Sequence, residues 1–192
     1  YVKHGIVGTI EGKNPGKKTI ALRAEMDALP ITEKNEIPFK SEYPGKMHAC
    51  GHDLHMAALL GTSMILNQLR KEFEGTVLLI FQPAEEKLPG GASLMIGEGA
   101  FKDRTPSLII AQHVLPGLKT GMVGYRPGVY MASSDEIYIT VKGKGGHGAV
   151  PHQLIDPVLI AAHIIVALQQ IVSRNANAAV PSVLSFGKLE AA

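Results

Sequence analysis

The stretch VLLIFQPAEE, residues 77–86, decides how this chain folds. Its first six residues are apolar almost without interruption, which is typical of a strand buried on both faces of a parallel sheet. Because such a strand is covered by helices on both sides, the run predicts an α/β architecture. Two adjacent carboxylates, Glu85 and Glu86, follow at its carboxyl end.

Two further β-rich runs, one on each side of this strand in sequence, end in polar side chains. TIALRA, residues 19–24, leads towards Asp27, and LIIAQ, residues 108–112, ends on His113. Helical patterns separate the three runs, and the order strand, helix, strand, helix, strand favours a parallel sheet with right-handed crossovers. Ligands bind outside the carboxyl ends of such strands, so we expect Asp27, His113 and the paired glutamates to converge.

The segment MHACGHDLH, residues 47–55, holds the only cysteine and three of the eight histidines. Its Cys50 and His52 supply sulfur and imidazole, and a coordinating Cys50 is expected to be a thiolate. On its own, the pair is more often a buried thiol beside a capping histidine. A helix follows, with Asp53 predicted as its N-cap. Its predicted apolar face comprises Met56, Leu59, Leu60, Met64, Leu66 and Leu69.

The other polar residues also have ordinary interpretations. Paired acids such as Glu85 and Glu86 usually face solvent, His113 could be a satisfied core histidine, and Asp27 could cap a turn. Sulfur, nitrogen and oxygen donors that arrive at one edge of one sheet nevertheless predict a metal site there. One glutamate could then ligate while the other takes a proton from water, and Asp27 could orient a histidine ligand.

Two domains are predicted, the first an α/β domain with the candidate metal site over residues 1–130 and the second a smaller α+β domain over residues 131–192. The predicted elements of the second are a strand at 137–141, a long apolar helix at 157–174 and a strand at 182–189. His147 stands in a glycine-rich turn before the helix. His147 is either an ordinary turn residue or a histidine that reaches a developing oxyanion.

Composition limits the partners of the protein. The net charge is only +2 and aromatic residues make up 5%, so no nucleic-acid-binding surface is predicted. No unbroken apolar run reaches the roughly 18 to 20 residues that span a bilayer. One cysteine and the absence of a signal-peptide pattern predict a reducing, cytoplasmic setting. A start without Met and a strand-like end predict a chain trimmed at both ends.

Six motifs resemble, in order, those of the aminoacylase and glutamate carboxypeptidase family of dinuclear metallopeptidases. The match is best to its amidohydrolase branch of hippurate hydrolases, IAA-amino acid hydrolases and N-acetyl-diaminopimelate deacetylases. The motifs are ALRAEMDALP (21–30), MHACGHDLHMA (47–57), FQPAEE (81–86), QHV (112–114), GYRPGVYMASSD (124–135) and GKGGHGAVPH (143–152). The resemblance implies a parallel-sheet, zinc-peptidase-like catalytic domain with an inserted lid and dimerisation domain.

The resemblance also implies a two-metal site. Its matching ligands in this chain are Cys50 as the bridge, His52, Glu86 and His113. The implied cofactors are two divalent metal ions, zinc or manganese, with nickel or cobalt as alternatives. The family's last histidine ligand comes from a later part of the catalytic domain, which lies beyond the end of this sequence.

Three further residues match catalytic positions of the family. Glu85 matches the general base that would deprotonate a water bridging the metals for attack on an amide carbonyl. Asp27 matches the acid that supports a ligand. His147 matches the lid histidine that reaches the partner subunit's site and stabilises the oxyanion.

The implied activity is the hydrolysis of small N-acyl amino acids by a homodimeric enzyme that dimerises through its lid domain. A dipeptidase or a deacetylase of the same superfamily is one alternative. A catalytically inactive fragment that serves as an interaction module is another, because the last ligand is missing. A hydrolase in which Cys50 attacks directly as nucleophile is a third.

Overall fold

The computed structural model describes residues 2–191, which form two compact units with the boundary in sequence between Tyr125 and Arg126. The predicted boundary lies five residues later, and the roles assigned to the two domains stay a prediction. The elements of the first unit are β1 (Ile6–Glu11), β2 (Thr19–Glu25), α1 (His52–Gln68), β3 (Thr76–Gln82), α2 (Gly91–Gly97) and β4 (Ile109–Ala111).

The first unit is a mixed α/β structure around one sheet of strand order β1-β3-β2-β4. β2 pairs in parallel with both β3 and β4, as the alternation of strands and helices predicted. β1 lies outside the three predicted strands, and it pairs antiparallel with β3, from Ile6 opposite Phe81 to Glu11 opposite Thr76. β2 occupies only one edge of β3, so the other edge is free for β1, and an antiparallel edge strand is common on such sheets.

β3 is the centre of the core, and its side chains alternate between the two faces of the sheet. On one face, Val77 and Leu79 belong to a buried cluster with Leu59 of α1. On the opposite face, Leu78 belongs to a second cluster with Met95 of α2. Apolar cover on both faces is the reason why the run in β3 does not alternate with polar residues.

The strand order also locates the site. From β2 the chain crosses to β3 on one side and later returns to β4 on the other side. The carboxyl ends of β2 and β4 therefore border the point where the winding reverses, and in open α/β sheets ligands bind in such a crevice. The loop after β2 carries Asp27, and the loop after β4 carries His113.

The start of α1 differs from the prediction. Gly51, in the left-handed region with φ 82°, is the N-cap, and no side chain caps the helix. The prediction of Asp53 as N-cap is wrong, because the helix begins at His52 and its N-cap, Gly51, lies two residues before Asp53. Asp53 instead lies in the first turn, where a carboxylate interacts favourably with the helix dipole.

The buried face of α1 also differs from the predicted one. The buried residues are His52, His55 and Leu59, whereas Leu60 and Met64 are 56% and 61% exposed. The prediction counted apolar side chains only, but the two histidines are the first side chains to face the sheet. Residues three and four positions apart lie on the same face of a helix, so the buried face continues from His52 through His55 to Leu59.

The second unit contains one longer helix among its described residues, α3 (Pro157–Gln170), which is followed by a single π-helical turn, Ile171–Asn175. Asp156 caps α3, since its carboxylate accepts hydrogen bonds from the N–H groups of Val158 and Leu159 at 2.9 and 3.1 Å. A side-chain cap of this kind satisfies two of the donors that a helix start leaves free.

The predicted strands at 137–141 and 182–189 are wrong for the described residues, which form no ladder there. An alternating pattern becomes a strand only where another strand supplies hydrogen-bond partners. Apolar side chains from both segments instead line a cavity of about 190 Å³ together with α3. The lining includes Ile137, Ile139, Ile164, Leu168, Leu184 and Phe186.

The helical stretch Pro157–Asn175 has 19 residues and a mean hydropathy of 1.5 in its most apolar window. By length and composition alone it is the one helix in the described chain that could cross a membrane. The expectation from the sequence concerned an unbroken apolar run, whereas an average tolerates polar residues such as His163 and Gln169. Core helices of soluble proteins share this length and composition but are mostly buried, whereas α3 has no buried residue.

Candidate metal centre

His52 is the central side chain of the candidate site and is 1% exposed. Its Nδ1–H donates to the backbone carbonyl of Asp27 at 2.9 Å, which leaves the lone pair on Nε2. This buried Nε2 has no hydrogen-bond partner within residues 2–191. It lies 4.0 Å from a carboxylate oxygen of Glu85 and 3.9 Å from one of Glu86. A buried lone pair that faces two carboxylates is an arrangement that a cation would satisfy.

Cys50 and His113 meet next to His52. Cys50 Sγ lies 3.3 Å from His113 Nε2, and the Nδ1–H of His113 donates to the Val114 carbonyl at 2.7 Å. The free nitrogen of His113 therefore faces the thiol. One ligand atom each from Cys50, His52 and Glu86 lies within 4.8 Å of the others. The structure thus brings together the four residues proposed as ligands from the sequence.

The surroundings of Cys50 are unfavourable to a bare thiolate. Burial raises the pKa of the thiol, and the carboxylates of Glu86, Glu85 and Glu25 raise this pKa further. At neutral pH the thiol keeps its proton when no cation is bound. A coordinating Cys50 would be a thiolate only because a cation offsets these carboxylates.

Asp27 holds two parts of the site at once. Its main-chain carbonyl orients His52, while its Oδ2 accepts the Glu86 N–H at 2.9 Å. Oδ1 is 3.6 Å from His52 Nδ1, so the carboxylate is not the hydrogen-bond acceptor of the imidazole. Burial raises the pKa of Asp27, but the backbone N–H groups of Glu86 and Glu85 outweigh this and hold its pKa below the usual range. Asp27 is therefore ionised at neutral pH.

The loop that carries the two glutamates has a fixed shape. Ala84 lies in the left-handed region with φ 52°, and its carbonyl accepts the Gly91 N–H at 2.8 Å. This conformation costs a non-glycine residue about 1 to 2 kcal/mol. Residues held in such conformations cluster at functional sites, where the surrounding contacts maintain them.

Gly91 is required for the close packing of this loop. A Cβ at Gly91 would lie 1.7 Å from the Pro83 carbonyl oxygen, so Gly91→Ala is expected to lower the free energy of unfolding by about 1 to 3 kcal/mol. Gly97, in the same helix, has no atom within 4 Å of an added Cβ. Gly97→Ala is the matched control and is expected to raise stability by about 0.5 to 1 kcal/mol. Urea unfolding measures both, and equal effects would contradict the packing argument.

Two residues that are not among the predicted ligands or catalytic residues also lie in the centre, 2% and 1% exposed. They are Glu25, predicted only as a carboxylate at a strand end, and His55, predicted only as a neighbour that supports the ligands. His55 Nδ1 is 3.3 Å from Glu25 Oε2, and Nε2 accepts the Val114 N–H at 2.9 Å. Together with His52 and His113 they form a second group close enough to hold an ion. However, His55 Nε2 already accepts a hydrogen bond from the Val114 N–H. The group that contains Cys50 is therefore the better candidate for the metal site.

The sequence contained a signal for both residues. His52 and His55 are three positions apart and so share a helix face. Arg23 and Glu25 are two apart on β2 and share a strand face, where Arg23 Nη1 donates to Glu25 Oε1 at 2.8 Å. Burial raises the pKa of Glu25, but its own backbone N–H and the charge of Arg23 outweigh this and lower the pKa overall.

His147 belongs to the second unit, where it is exposed. Its Nδ1 accepts the Ala149 N–H at 3.1 Å, a contact of ordinary turn geometry. Its predicted role opposite an oxyanion therefore stays a prediction.

Comparisons with known proteins agree on one family. A family model described as peptidase family M20/M25/M40 matches residues 21–188. An N-acetylcysteine deacetylase of Bacillus subtilis is 44% identical over 99% of this chain and 49% of its own length. An N-acyl-L-amino acid amidohydrolase of Geobacillus stearothermophilus is 45% identical over 95% of this chain and 49% of its own length. The chain thus spans about half the length of the curated relatives it matches.

Two solved structures share the fold. A protein of methicillin-resistant Staphylococcus aureus is 40% identical and superposes with a TM-score of 0.71 over 96% of this chain and 48% of its own. The YXEP protein of Bacillus subtilis, described as a dinuclear metal-binding peptidase of the M20 family, is 43% identical. Its TM-score is 0.61 over 66% of this chain and 35% of its own.

Proposed function

This chain belongs to peptidase family M20/M25/M40, and from that membership we propose that the intact protein is a metal-dependent amidohydrolase acting on N-acyl amino acids. The observation that carries the proposal is the buried, unpartnered Nε2 of His52, which faces Glu85 and Glu86. Relatives named N-acetylcysteine deacetylase and N-acyl-L-amino acid amidohydrolase support the substrate class.

Two divalent ions would be held by Cys50, His52, Glu86 and His113, and Cys50 is proposed as the residue that they would share. Thiolate and imidazole donors favour zinc, while the carboxylate also suits manganese, nickel or cobalt. Divalent ions bound there would polarise the substrate carbonyl and lower the pKa of water.

Glu85 is the proposed general base and is not itself a ligand. Its side chain is 40% exposed, so it is accessible from the crevice. One of its oxygens lies 4.0 Å from His52 Nε2. It would take the proton from the attacking water and later deliver it to the leaving amine. Asp27 supports this step by holding the Glu86 N–H, and with it the loop that presents Glu85.

The proposed assembly is a soluble homodimer formed through the second unit. In this arrangement His147 of one subunit would donate a hydrogen bond to the oxyanion in the other subunit. Small N-acyl amino acids are the proposed substrates, and no nucleic-acid or membrane partner is part of the proposal.

Two related activities are the alternatives within the family. A relative from Listeria monocytogenes named N-acetyldiaminopimelate deacetylase is 42% identical, so deacetylation of that substrate type is one. Dipeptide hydrolysis is the other. Direct attack by Cys50 is disfavoured, because burial and the neighbouring carboxylates raise the pKa of a thiol that would need a low pKa to act as nucleophile. A catalytically inactive interaction module remains the alternative outside enzymes.

The test is a substrate panel with controlled metal content. Purified intact protein is stripped with a chelator, reloaded with Zn²⁺ or Mn²⁺, and assayed on N-acetyl, N-benzoyl and dipeptide substrates. We expect activity to disappear on stripping, to return on reloading and to be greatest on an N-acyl amino acid. A protein that binds metal but cleaves no member of the panel would favour the interaction module. Activity that survives complete stripping would contradict metal dependence.

A further inference from the structure

A buried pair outside the proposed ligand set, Glu25 and His55, links the end of β2 to the segment that carries His113. Arg23 anchors Glu25 to the sheet, since its Nη1 donates to Glu25 Oε1 at 2.8 Å and its Nε donates to Gln82 Oε1 at 2.9 Å. The other carboxylate oxygen of Glu25 lies 3.3 Å from His55 Nδ1. Because His55 Nε2 accepts a hydrogen bond, Nδ1 carries the ring proton and directs it towards this carboxylate.

Val114 connects His55 to His113. Its N–H donates to His55 Nε2 at 2.9 Å, and its carbonyl accepts the Nδ1–H of His113 at 2.7 Å. One backbone residue is therefore held by the first imidazole and orients the second. The two rings also contact each other edge to face, with their centroids 4.7 Å apart.

Val114 also packs directly on the segment that carries the other ligands. Gly51, between Cys50 and His52, has φ 82°, and a Cβ there would lie 2.5 Å from Val114 Cγ2. The absence of a side chain at Gly51 lets Val114 approach closely. The place of Val114 therefore affects the 3.3 Å separation of Cys50 Sγ from His113 Nε2.

From these contacts we propose that His55 is a positioning residue, which holds the Val114 backbone and thereby sets where His113 lies relative to Cys50. The proposal rests on the metal-dependent function proposed above. His55 does not ligate in this arrangement, because one ring nitrogen accepts from Val114 and the other faces Glu25. Loss of the bond to Val114 leaves the His113 imidazole free to turn away from the thiol.

Two substitutions test the contacts of the two ring nitrogens of His55 separately. His55→Gln keeps an acceptor close to where Nε2 lies, so it retains the bond to Val114 but loses the contact with Glu25. His55→Asn keeps an N–H close to where Nδ1 lies, so it retains the contact with Glu25 but loses the acceptor for Val114. We expect His55→Asn to lower Zn²⁺ affinity about 10- to 100-fold, and His55→Gln to stay within about threefold of wild type. Isothermal titration of the intact protein with Zn²⁺ measures both.

A second readout needs no metal. In metal-free protein labelled with ¹⁵N-valine, we expect the Val114 amide to exchange with solvent faster in His55→Asn than in His55→Gln or wild type. Thermal unfolding of the metal-free variants shows whether both are folded. A purely structural role would change stability in both variants without separating them in Val114 exchange.

Several results would overturn the positioning role. They are equal losses of Zn²⁺ affinity in the two variants, no loss in His55→Asn, a greater loss in His55→Gln, or unchanged Val114 exchange in His55→Asn. If wild-type protein bound no Zn²⁺, the proposed function would fail. The exchange measurement in metal-free protein would still decide whether His55 holds Val114.

Discussion

Glu85→Gln is expected to lower kcat for an N-acyl amino acid by about 10²- to 10⁴-fold, because a neutral amide cannot take the proton from the attacking water. Metal content is expected to stay at the wild-type value, since Glu85 is not a proposed ligand and its oxygen lies 4.0 Å from His52 Nε2. Glutamine has almost the same shape as glutamate, so the loop between β3 and α2 should keep its conformation. Steady-state kinetics and metal analysis of the same preparation measure the two quantities.

The matched control is the neighbouring residue, Glu86→Gln. It is expected to lose both activity and metal, because Glu86 lies in the group with Cys50 and His52. The base assignment would fail if Glu85→Gln retained more than about a tenth of wild-type kcat, or if it lost metal as Glu86→Gln does.

Mixing the Glu85→Gln protein with a His147→Ala protein tests whether His147 of one subunit acts in the site of the other. If subunits redistribute at random, half of the dimers are mixed and each mixed dimer has one intact site. Activity should then recover to about a quarter of wild type. No recovery in a mixture shown to exchange subunits would rule out a histidine supplied by the partner.

Cys50→Ser is expected to weaken Zn²⁺ binding by more than about 100-fold, because substitutions of residues that merely support a ligand already cost 10- to 100-fold. The loss should be smaller for Mn²⁺, which prefers oxygen donors, so the variant should also change the preference between the two metals. Competition with a chelator of known affinity measures both ions. A variant that binds Zn²⁺ as tightly as wild type would exclude Cys50 as the bridge.

Asp27→Asn is the control for this substitution. The imidazole of His52 is oriented by the main-chain carbonyl of residue 27, which the change leaves in place, and an amide oxygen can still accept the Glu86 N–H. A loss of no more than about 10-fold in metal affinity is expected. The affinity of wild-type protein should also rise with pH, because burial and the nearby carboxylates raise the pKa of the Cys50 thiol and binding must displace its proton.

The central strands could be predicted from the sequence because their signal is local. An unbroken apolar run such as the one in β3 is compatible with few environments, and alternation with helices favours parallel pairing. The strands predicted in the second unit did not form, because a strand also depends on a partner that the run itself does not contain. The buried face of α1 was misjudged for a similar reason. Its first inward-facing residues, His52 and His55, are polar, and only the contacts at the sheet edge bury them.

The sequence singled out residues of the candidate site that the structure places close together, and their roles stay predictions. Cys50, His52, Glu86 and His113 stood out as donors at the ends of predicted elements, and the structure brings them together. The link through Glu25, His55 and Val114 could not be predicted, because it depends on the separation of side chains that lie 30 and 59 residues apart in sequence. Such contacts follow from the strand order, which residue spacing does not determine.

The bond between His52 and the main chain at Asp27 has a consequence for how this site can change in evolution. Every residue type has a carbonyl oxygen, so no substitution at position 27 that preserves the backbone removes the acceptor of the His52 Nδ1–H. The main chain thus fixes which ring nitrogen of His52 donates a hydrogen bond. A substitution at position 27 would therefore act on the loop of Glu85 and Glu86, which the Asp27 carboxylate holds, while the nitrogen of His52 that faces the centre stays available.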